Sequence, residues 1–284
     1  MVNKIYNQII EKKSFLCIGL DIDSNKLPNC LQNNSDPVFE FAKQIIDSTN
    51  KYVIAYKPNT AFYEANGEQG FRSLNRISQY LKENYPEIFT IADAKRGDIG
   101  NTSRMYAKAF LKDLDFDSIT VSPYMGSDSV EPFLSIDNKY VFLLALTSNE
   151  GSKDFQEQII NNSNKLYENI IVTSQKWTNS DRIMYVVGAK NTKEIKKIRT
   201  LAPNSYLLIP GLGAQGGNLK EICKYGLDND LKLIVNSSRS IIYASLEDDF
   251  AKKAQIEAQK IQKEMEFYIN CLLYTSPSPR DRSI

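Results

Sequence analysis

The sequence predicts an α/β fold in which eight parallel strands alternate with helices and close into a (β/α)8 barrel. Three observations support this prediction: eight short apolar runs end in small or polar residues, helical patterns lie between them, and 284 residues fit one large barrel. A doubly wound sheet is the structural alternative, but it would need fewer strands or a second domain. Because no change in composition marks a linker, we favour the barrel.

The eight candidate strands are rich in β-branched and aromatic residues. Each run is short and ends in small or polar residues, which is typical of a strand that leads into a loop. In chain order they are Phe15–Asp21, Tyr52–Asn59, Phe89–Lys95, Ser118–Tyr124, Tyr140–Thr147, Arg182–Ala189, Tyr206–Gly213 and Leu231–Ser238.

Segments with helical spacing separate these strands. Asp36 is suited to cap a helix that begins at Pro37. The apolar face of this helix is Val38, Phe41, Ile45 and Ile46, and that of the next helix is Phe71, Leu74, Ile77, Tyr80 and Leu81. We expect an N-terminal helix to plug the bottom of the barrel and a long C-terminal helix, residues 241–273, to close it.

The C-terminal end differs in composition from the rest of the chain. The segment YTSPSPRDRSI combines two prolines, three serines and three charges with almost no apolar content, so it cannot sustain a packed helix. We therefore predict one barrel domain over residues 1–273. Residues 274–284 are predicted to be a disordered tail or an artefact of cloning or of the transcript.

Composition excludes several classes of function. Lys and Arg number 35 against 34 Asp and Glu, so no basic field indicates nucleic acid or an anionic membrane as a partner. The chain contains no histidine, which removes Ser-His-Asp catalysis and His-bound zinc. Four widely spaced cysteines without a paired motif fit a reducing cytosol, and neither a signal peptide nor a membrane span is evident. We expect a cytoplasmic protein with a small-molecule partner.

Polar residues interrupt the apolar runs where four of the predicted strands end. In a (β/α)8 barrel the carboxyl ends of the strands form the active-site face. Because side chains alternate along a strand, Asp93 and Lys95 lie on one face of the third strand, and Lys57 and Asn59 lie on one face of the second. If both faces point into the barrel, Lys57, Asp93 and Lys95 come together there. The alternative is a buried ion pair that only fixes the barrel's register. The polar residues at these ends are Asp21, Lys57, Asn59, Asp93, Lys95 and Thr147.

A glycine-rich turn follows the seventh predicted strand. Glycine lets backbone amides approach an anion closely, and an arginine adds a charged fork that binds phosphate. The turn contains Gly211, Gly213, Gly216 and Gly217, and the eighth strand leads into Ser238 and Arg239. Loops after strands seven and eight are the usual phosphate site of phosphate-binding barrels. The sequence therefore predicts a small phosphorylated ligand whose other end faces the lysine and carboxylate cluster.

The motif DAKRGDIGNT, which begins at Asp93, resembles the D-x-K-x-x-D-I-x-x-T signature of the orotidine 5′-phosphate decarboxylase family. Further similar segments follow in the expected order over 15–241: GLDID, AYKPNTAFYE, LTSNEGSKDFQ, PGLGAQGG and VNSSR. The resemblance implies a homodimeric TIM barrel that converts orotidine 5′-monophosphate to UMP without a metal or an organic cofactor.

The resemblance also implies roles for individual residues. Lys57, Asp93, Lys95 and Asp98 would form an alternating charged tetrad, with Lys95 as the proton donor at C6. The residues expected to bind the substrate are Asp21, Asn59 and Thr102 at the ribose, Thr147 at the pyrimidine edge, Gln215, Ser238 and Arg239 at the phosphate, and Ile99 and Pro210. Asp98, Ile99 and Thr102 would reach into the neighbouring subunit's site, so the tetrad would be completed across the dimer.

Two other functions stay open at this point. One is a magnesium-dependent sugar-phosphate decarboxylase of the same superfamily, although such relatives carry an acid on strand two where this chain has Lys57. The other is a nucleotide-binding barrel without turnover.

Overall fold

A computed structural model of the chain describes residues 2–160, 163–188, 192–212 and 218–275. Eight parallel strands form a closed barrel in which each strand pairs with its neighbours in sequence and β1 also pairs with β8. The strands are β1 (Leu16–Gly19), β2 (Ala55–Lys57), β3 (Phe89–Arg96), β4 (Ser118–Val121), β5 (Tyr140–Leu146), β6 (Ile183–Val187), β7 (Leu207–Pro210) and β8 (Leu233–Ser237). The predicted (β/α)8 barrel is confirmed.

Helices connect the strands and cover the barrel. They are α1 (Val2–Lys12), α2 (Pro37–Thr49), α3 (Thr60–Glu64), α4 (Gly67–Asn84), α5 (Gly100–Ala107), α6 (Ser127–Leu134), α7 (Ser152–Phe155), α8 (Leu166–Ser174), α9 (Thr192–Leu201), α10 (Leu219–Gly226), α11 (Arg239–Ile242) and α12 (Phe250–Thr275). A π-helical turn, Lys108–Asp113, continues α5, and a short hairpin pairs Ile159–Ile160 with Asn164–Lys165 between β5 and α8.

Most strands are shorter than the apolar runs that predict them. β1 ends at Gly19 and β2 at Lys57, so Asp21 and Asn59 lie beyond the strands that were predicted to include them. The Leu20 N–H still donates to Lys57 O, and Asn59 keeps a single β-bridge to Asp93, beyond which both segments continue as loops. The polar residues therefore lie on the loops at the carboxyl end of the barrel, where the sequence placed the functional face.

The predicted helix start at α2 is confirmed, whereas the predicted face of α4 is wrong at one position. Asp36 accepts a hydrogen bond from the Phe39 N–H, and Pro37 is the first helical residue. In α4 the buried apolar residues are Leu74, Ile77 and Leu81, but Phe71 is 46% exposed. The buried stripe instead begins at Gly70, which packs against the carbonyl of Tyr63 and leaves no room there for a side chain.

The two terminal helices lie against the barrel as expected, with one difference. Ile5 and Ile9 of α1 are buried, and Lys12 Nζ donates to Val53 O just before β2, which places α1 at the amino ends of the strands. The predicted closing helix is divided into α11 and α12, because the Ser245 hydroxyl accepts from the Glu247 N–H in a turn between them. Phe250 at the start of α12 stacks on Phe41 of α2 at 5.0 Å.

The predicted tail is largely outside the described part of the chain. Helix α12 continues to Thr275, two residues past the predicted domain boundary, and residues 276–284 are not described. Within the described ranges, no helix has the length and hydropathy needed to cross a membrane.

Strands β1 and β8 approach each other closely at the carboxyl rim of the barrel. A Cβ atom on Gly19 would lie 1.8 Å from Ser238 Oγ and 2.9 Å from Ser238 Cβ. Both distances are shorter than real Cβ contacts, so only glycine fits at this position while Ser238 keeps its place.

We expect Gly19→Ala to lower the free energy of unfolding by about 1 to 3 kcal/mol, because the added methyl group overpacks this contact. Urea denaturation of the two proteins measures the difference. The double variant Gly19→Ala/Ser238→Gly should recover most of the loss, since it removes both clashing atoms. Equal stability of Gly19→Ala and the wild type would show that the rim adjusts without cost.

Candidate active site

A cavity of about 410 Å³ opens at the carboxyl ends of the strands. It brings together most of the predicted site residues: Asp21, Lys57, Asn59, Asp93, Lys95, Thr147, Pro210, Ser238 and Arg239. These residues come from six of the eight strands or from the loops that follow them. The barrel thus assembles one site from positions that are far apart in sequence.

Asp93 lies between two lysines at the floor of this cavity. Its Oδ2 accepts from Lys57 Nζ at 2.6 Å, and its Oδ1 accepts from Lys95 Nζ at 2.6 Å. The Thr120 hydroxyl of β4 donates to the same Oδ1 at 3.1 Å. The convergence of Lys57, Asp93 and Lys95 that strand alternation predicts is confirmed in this geometry.

Burial and neighbouring charges shift the pKa values of Lys57 and Asp93 in opposite directions. Burial alone would lower the pKa of Lys57, but the carboxylates of Asp93 and Asp21 outweigh it and raise that pKa above the ordinary lysine value. Burial would raise the pKa of Asp93, but the two neighbouring ammonium groups outweigh it and hold that pKa well below the usual range. The Lys57–Asp93 pair therefore stays ionised in the interior.

The backbone at Lys95 has an unusual conformation. Its φ angle is 47°, in the left-handed region that residues with a side chain rarely adopt. The β3–β4 register shifts between Ala92 and Arg96, and the Lys95 N–H donates to the Thr120 hydroxyl at 2.8 Å. The Lys95 side chain is 51% exposed, whereas that of Lys57 is 5% exposed. The bulge thus turns one of the two lysines toward the open part of the cavity.

Asp21 and Asn59 flank this floor from the loops after β1 and β2. Asp21 Oδ1 lies 4.0 Å from Lys57 Nζ and, although buried, has no hydrogen-bond partner among the described residues. Asn59 caps α3 by accepting from the Ala61 N–H at 3.2 Å, and its backbone bridges to Asp93. Asn59 therefore has a structural task in addition to its place on the cavity wall.

The predicted phosphate end is only partly described. Pro210 and Gly211 at the end of β7 line the same cavity as Ser238 and Arg239 after the neighbouring strand β8. Gly211 has a φ of 92° that favours glycine. Arg239 is exposed and makes no ion pair within the ranges that the structure covers. Gln215, with Gly213, Gly216 and Gly217, lies outside the described residues, so its predicted place stays a prediction.

Asp98, Ile99 and Thr102 do not line the cavity. The Asp98 N–H donates to Ser103 Oγ, and Asp98 Oδ1 accepts from the Ile99 N–H at 2.7 Å. Ile99 is 57% exposed and Thr102 is exposed at the start of α5. Within one chain these three residues therefore lie outside the cavity, and their predicted place in the neighbouring subunit's site stays a prediction.

Some cavity and supporting residues escape the sequence patterns. Thr120 lies in the short strand β4. The only feature of the sequence that could have indicated its role is that a polar residue occupies an inward position of this strand. Asn236 of β8 is 5% exposed, lines the cavity, and carries a buried Oδ1 without a hydrogen-bond partner in the described chain. Gln156 contacts Thr147 from nine residues away, a spacing that no periodicity indicates.

The charges of the cavity favour an anion. Three cationic side chains and two anionic ones line it, the cations being Lys57, Lys95 and Arg239. Among the described residues, no three Asp, Glu or Cys side chains come together as metal ligands would. The Lys57 ammonium lies between the carboxylates of Asp21 and Asp93, at the position to which they would otherwise attract a metal cation.

Comparison with known proteins agrees with this geometry. The model of the family described as "Orotidine 5'-phosphate decarboxylase / HUMPS family" matches residues 14–254. The chain belongs to this family. The orotidine 5′-phosphate decarboxylase of Flavobacterium johnsoniae is 57% identical over 262 residues, which are 92% of this chain and 96% of that protein.

Solved structures of the orotidine 5′-phosphate decarboxylase family share the fold. The OMP decarboxylase of Leishmania donovani superposes with a TM-score of 0.78 at 33% identity, covering 94% of this chain and 99% of that one. The UMP synthase of the same organism gives a TM-score of 0.82 at 32% identity over 97% of this chain. This chain spans 57% of the length of that synthase.

The Lys57–Asp93 pair predicts how stability depends on pH. Folding lowers the pKa of Asp93. The contribution of this carboxylate to the free energy of unfolding is therefore complete above the ordinary aspartate pKa of about 3.9 and is lost as the pH falls further. Folding raises the pKa of Lys57. The contribution of its ammonium group to the free energy of unfolding is therefore complete below the ordinary lysine pKa of about 10.4 and is lost as the pH rises through the pKa in the folded protein.

Between about pH 6 and pH 3, the wild type should lose about 1 kcal/mol more free energy of unfolding than Asp93→Asn. The difference arises because the variant has no carboxylate to protonate at this position. Urea denaturation at each pH provides the measurement. Parallel losses in both proteins would contradict the lowered pKa of Asp93.

Proposed function

We propose that the protein decarboxylates orotidine 5′-monophosphate to UMP and that it needs neither a metal nor an organic cofactor. The observation that carries the proposal is the pairing of two features in one cavity: the Lys57–Asp93–Lys95 array and the residues Ser238 and Arg239. Family membership and the names of its relatives support the same reaction.

The reaction breaks the bond between C6 of the orotate ring and its carboxylate carbon, which leaves as CO2 while the bonding electron pair stays on C6. The ring delocalises this charge poorly, so a fixed cation beside C6 lowers the barrier. In the proposal the Lys95 ammonium stabilises that charge and then donates its proton to C6, which yields UMP. Its half-exposed position above Asp93 suits this role. The free amine regains a proton from water.

The neighbouring charges hold the Lys95 side chain in position. Asp93 bonds both lysines, so Lys57 offsets part of its charge while Lys95 stays held at 2.6 Å. Asp93 and Asp98 would lie near the substrate carboxylate, and their negative charges would destabilise it in the bound substrate before CO2 leaves. Arg239, Ser238 and Gln215 would hold the phosphate, whose binding energy is then available to keep the ring in this contact.

The rest of the cavity suits the nucleoside. Asp21 and Asn59 would bind the ribose hydroxyls, and the buried Asp21 Oδ1 is an acceptor with no hydrogen-bond partner in the described chain. Leu144 and Val186, which pair on β5 and β6, give the wall beside Thr147 an apolar surface for a planar base. Thr147 would contact the edge of that base, and Pro210 would lie beside it.

We further propose a homodimer in which Asp98, Ile99 and Thr102 enter the partner's site. Exposed apolar side chains in this region support it: Ile99 just before α5, Met105 on α5, and Tyr124 and Met125 after β4 are each at least 46% exposed. The two segments adjoin, because the Ser103 hydroxyl of α5 donates to Ser129 O of α6. Large exposed apolar patches mark interaction surfaces.

Lys57 argues against the magnesium-dependent sugar-phosphate reaction. Its ammonium bonds Asp93 and lies near Asp21, so these two carboxylates already have a cation between them. The retention of the lysine array and Arg239 in one cavity argues against a barrel that only binds nucleotides. Turnover that persists in excess EDTA would separate the proposed reaction from the magnesium-dependent one.

Lys95→Ala should abolish decarboxylation while UMP affinity stays within about tenfold of wild type, because Lys95 acts on the reacting carbon rather than on the phosphate. The loss of orotidine monophosphate absorbance and calorimetric titration of UMP provide the two readouts. Lys108→Ala is the control, since this exposed lysine pairs with Asp113 outside the cavity. Substantial turnover by Lys95→Ala would overturn the proton-donor role.

Mixing Lys95→Ala chains with Asp98→Ala chains should restore activity. Each mixed dimer would contain one site with both Lys95 and Asp98 intact and one site lacking both. Activity after co-refolding, compared with each variant refolded alone, measures complementation. A mixture as inactive as its components would mean that Asp98 serves its own barrel only.

A further inference from the structure

The loop that follows β1 carries Asp21 between two buried apolar residues. β1 ends at Gly19, and the next side chains, Leu20 and Ile22, are buried. Asp21 lies between them in sequence and lines the cavity. Apolar packing has no preferred direction, so it does not fix how the peptide groups of this loop are oriented. That orientation depends on hydrogen bonds, which are directional.

Two tyrosine hydroxyls bond the peptide groups on either side of Asp21. The Tyr63 hydroxyl, on α3, donates to Leu20 O at 2.9 Å. The Tyr243 hydroxyl, just after α11, accepts from the Asp23 N–H at 2.7 Å. The two tyrosines, which we call the tyrosine clamp, therefore hold the loop from both sides of the aspartate.

Packing keeps both members of the tyrosine clamp in place. Tyr63 is 1% exposed, and burial, followed by the charge of Asp21, raises its pKa well above the ordinary tyrosine value. Its hydroxyl therefore keeps its proton and remains a donor. The Tyr243 ring stacks on Phe41 of α2, with 5.8 Å between the ring centroids. The clamp thus ties the loop after β1 to helices that pack around the barrel.

The distance between Asp21 and Lys57 is sensitive to the position of this loop. Asp21 Oδ1 lies 4.0 Å from Lys57 Nζ, beyond hydrogen-bond reach, whereas Lys57 bonds Asp93 at 2.6 Å. The same Oδ1 is buried and has no hydrogen-bond partner in the described chain. A shift of about 1 Å would bring it to the roughly 2.8 Å of a charged hydrogen bond. The lysine would then occupy the carboxylate.

We propose that Tyr63 and Tyr243 are positioning residues that keep Asp21 apart from Lys57 and so available to the ribose hydroxyls of the nucleotide. The inference rests on the proposed function, in which Asp21 binds those hydroxyls. A carboxylate only accepts hydrogen bonds, and a ribose hydroxyl can donate to it. Without the clamp the carboxylate moves onto the lysine, and part of its hydrogen bond to the ribose is lost.

The test compares binding of UMP and 2′,3′-dideoxy-UMP by calorimetry in wild type and in Tyr63→Phe/Tyr243→Phe. Phenylalanine keeps each ring and removes only the hydroxyl. UMP affinity should fall about tenfold, whereas the affinity for the dideoxy nucleotide, which lacks both ribose hydroxyls, should change by less than about threefold. Tyr185→Phe is the matched control, because this buried tyrosine bonds Ser174 of α8 outside the cavity.

Asp21→Ala supplies an independent variant. It should reduce the preference for UMP over the dideoxy nucleotide, and adding the two tyrosine substitutions to it should cause no further reduction, because the clamp acts through Asp21. Each single tyrosine variant should show part of the effect of the pair. An unchanged preference in the tyrosine variants, or equal weakening of both ligands, would overturn the inference. Wild-type protein that binds no UMP would instead overturn the proposed function, so the two failures are distinguishable.

Discussion

The Asp93 carboxylate is the group on which the centre of this barrel depends. It accepts hydrogen bonds from Lys57 on β2, Lys95 on its own strand and Thr120 on β4, so one side chain joins three adjacent strands. Breaking a buried ion pair by removing one partner typically costs about 3 to 5 kcal/mol, because a charge is left without compensation. Loss of Asp93 would leave the buried Lys57 ammonium with only the more distant Asp21.

The same interaction explains why the backbone tolerates strain at Lys95. A residue with a side chain at a positive φ costs roughly 1 kcal/mol or more and persists only where the surroundings hold it. Here Thr120 accepts from the Lys95 N–H and donates to Asp93, while Asp93 holds the Lys95 ammonium. The strained turn and the charged array thus stabilise each other, and together they aim Lys95 at the open part of the cavity.

Strand alternation and the positions of polar residues could predict the fold and the floor of the site. Asp93 and Lys95 share a face because they are two residues apart, and Lys57 meets them because β2 adjoins β3. The bulge at Lys95 could not be predicted from periodicity, since it depends on the Thr120 hydroxyl of another strand. Thr120 and Gln156 were missed for a related reason: they bond Asp93 and Thr147 from positions 27 and nine residues away, and no local pattern records such contacts.

Other misplacements have local physical causes. Phe71 fits the apolar spacing of α4, but Gly70 packs against Tyr63, and the neighbouring phenylalanine is therefore turned outward. Asp98 follows the bulge, so alternation no longer determines its direction, and the single chain leaves it outside the cavity. A residue whose role depends on a second subunit has no signature in the periodicity of one chain. For Asp98 the two sources of information are the resemblance of its motif and the exposed apolar side chains beside it, and both support the partner that we propose at this surface.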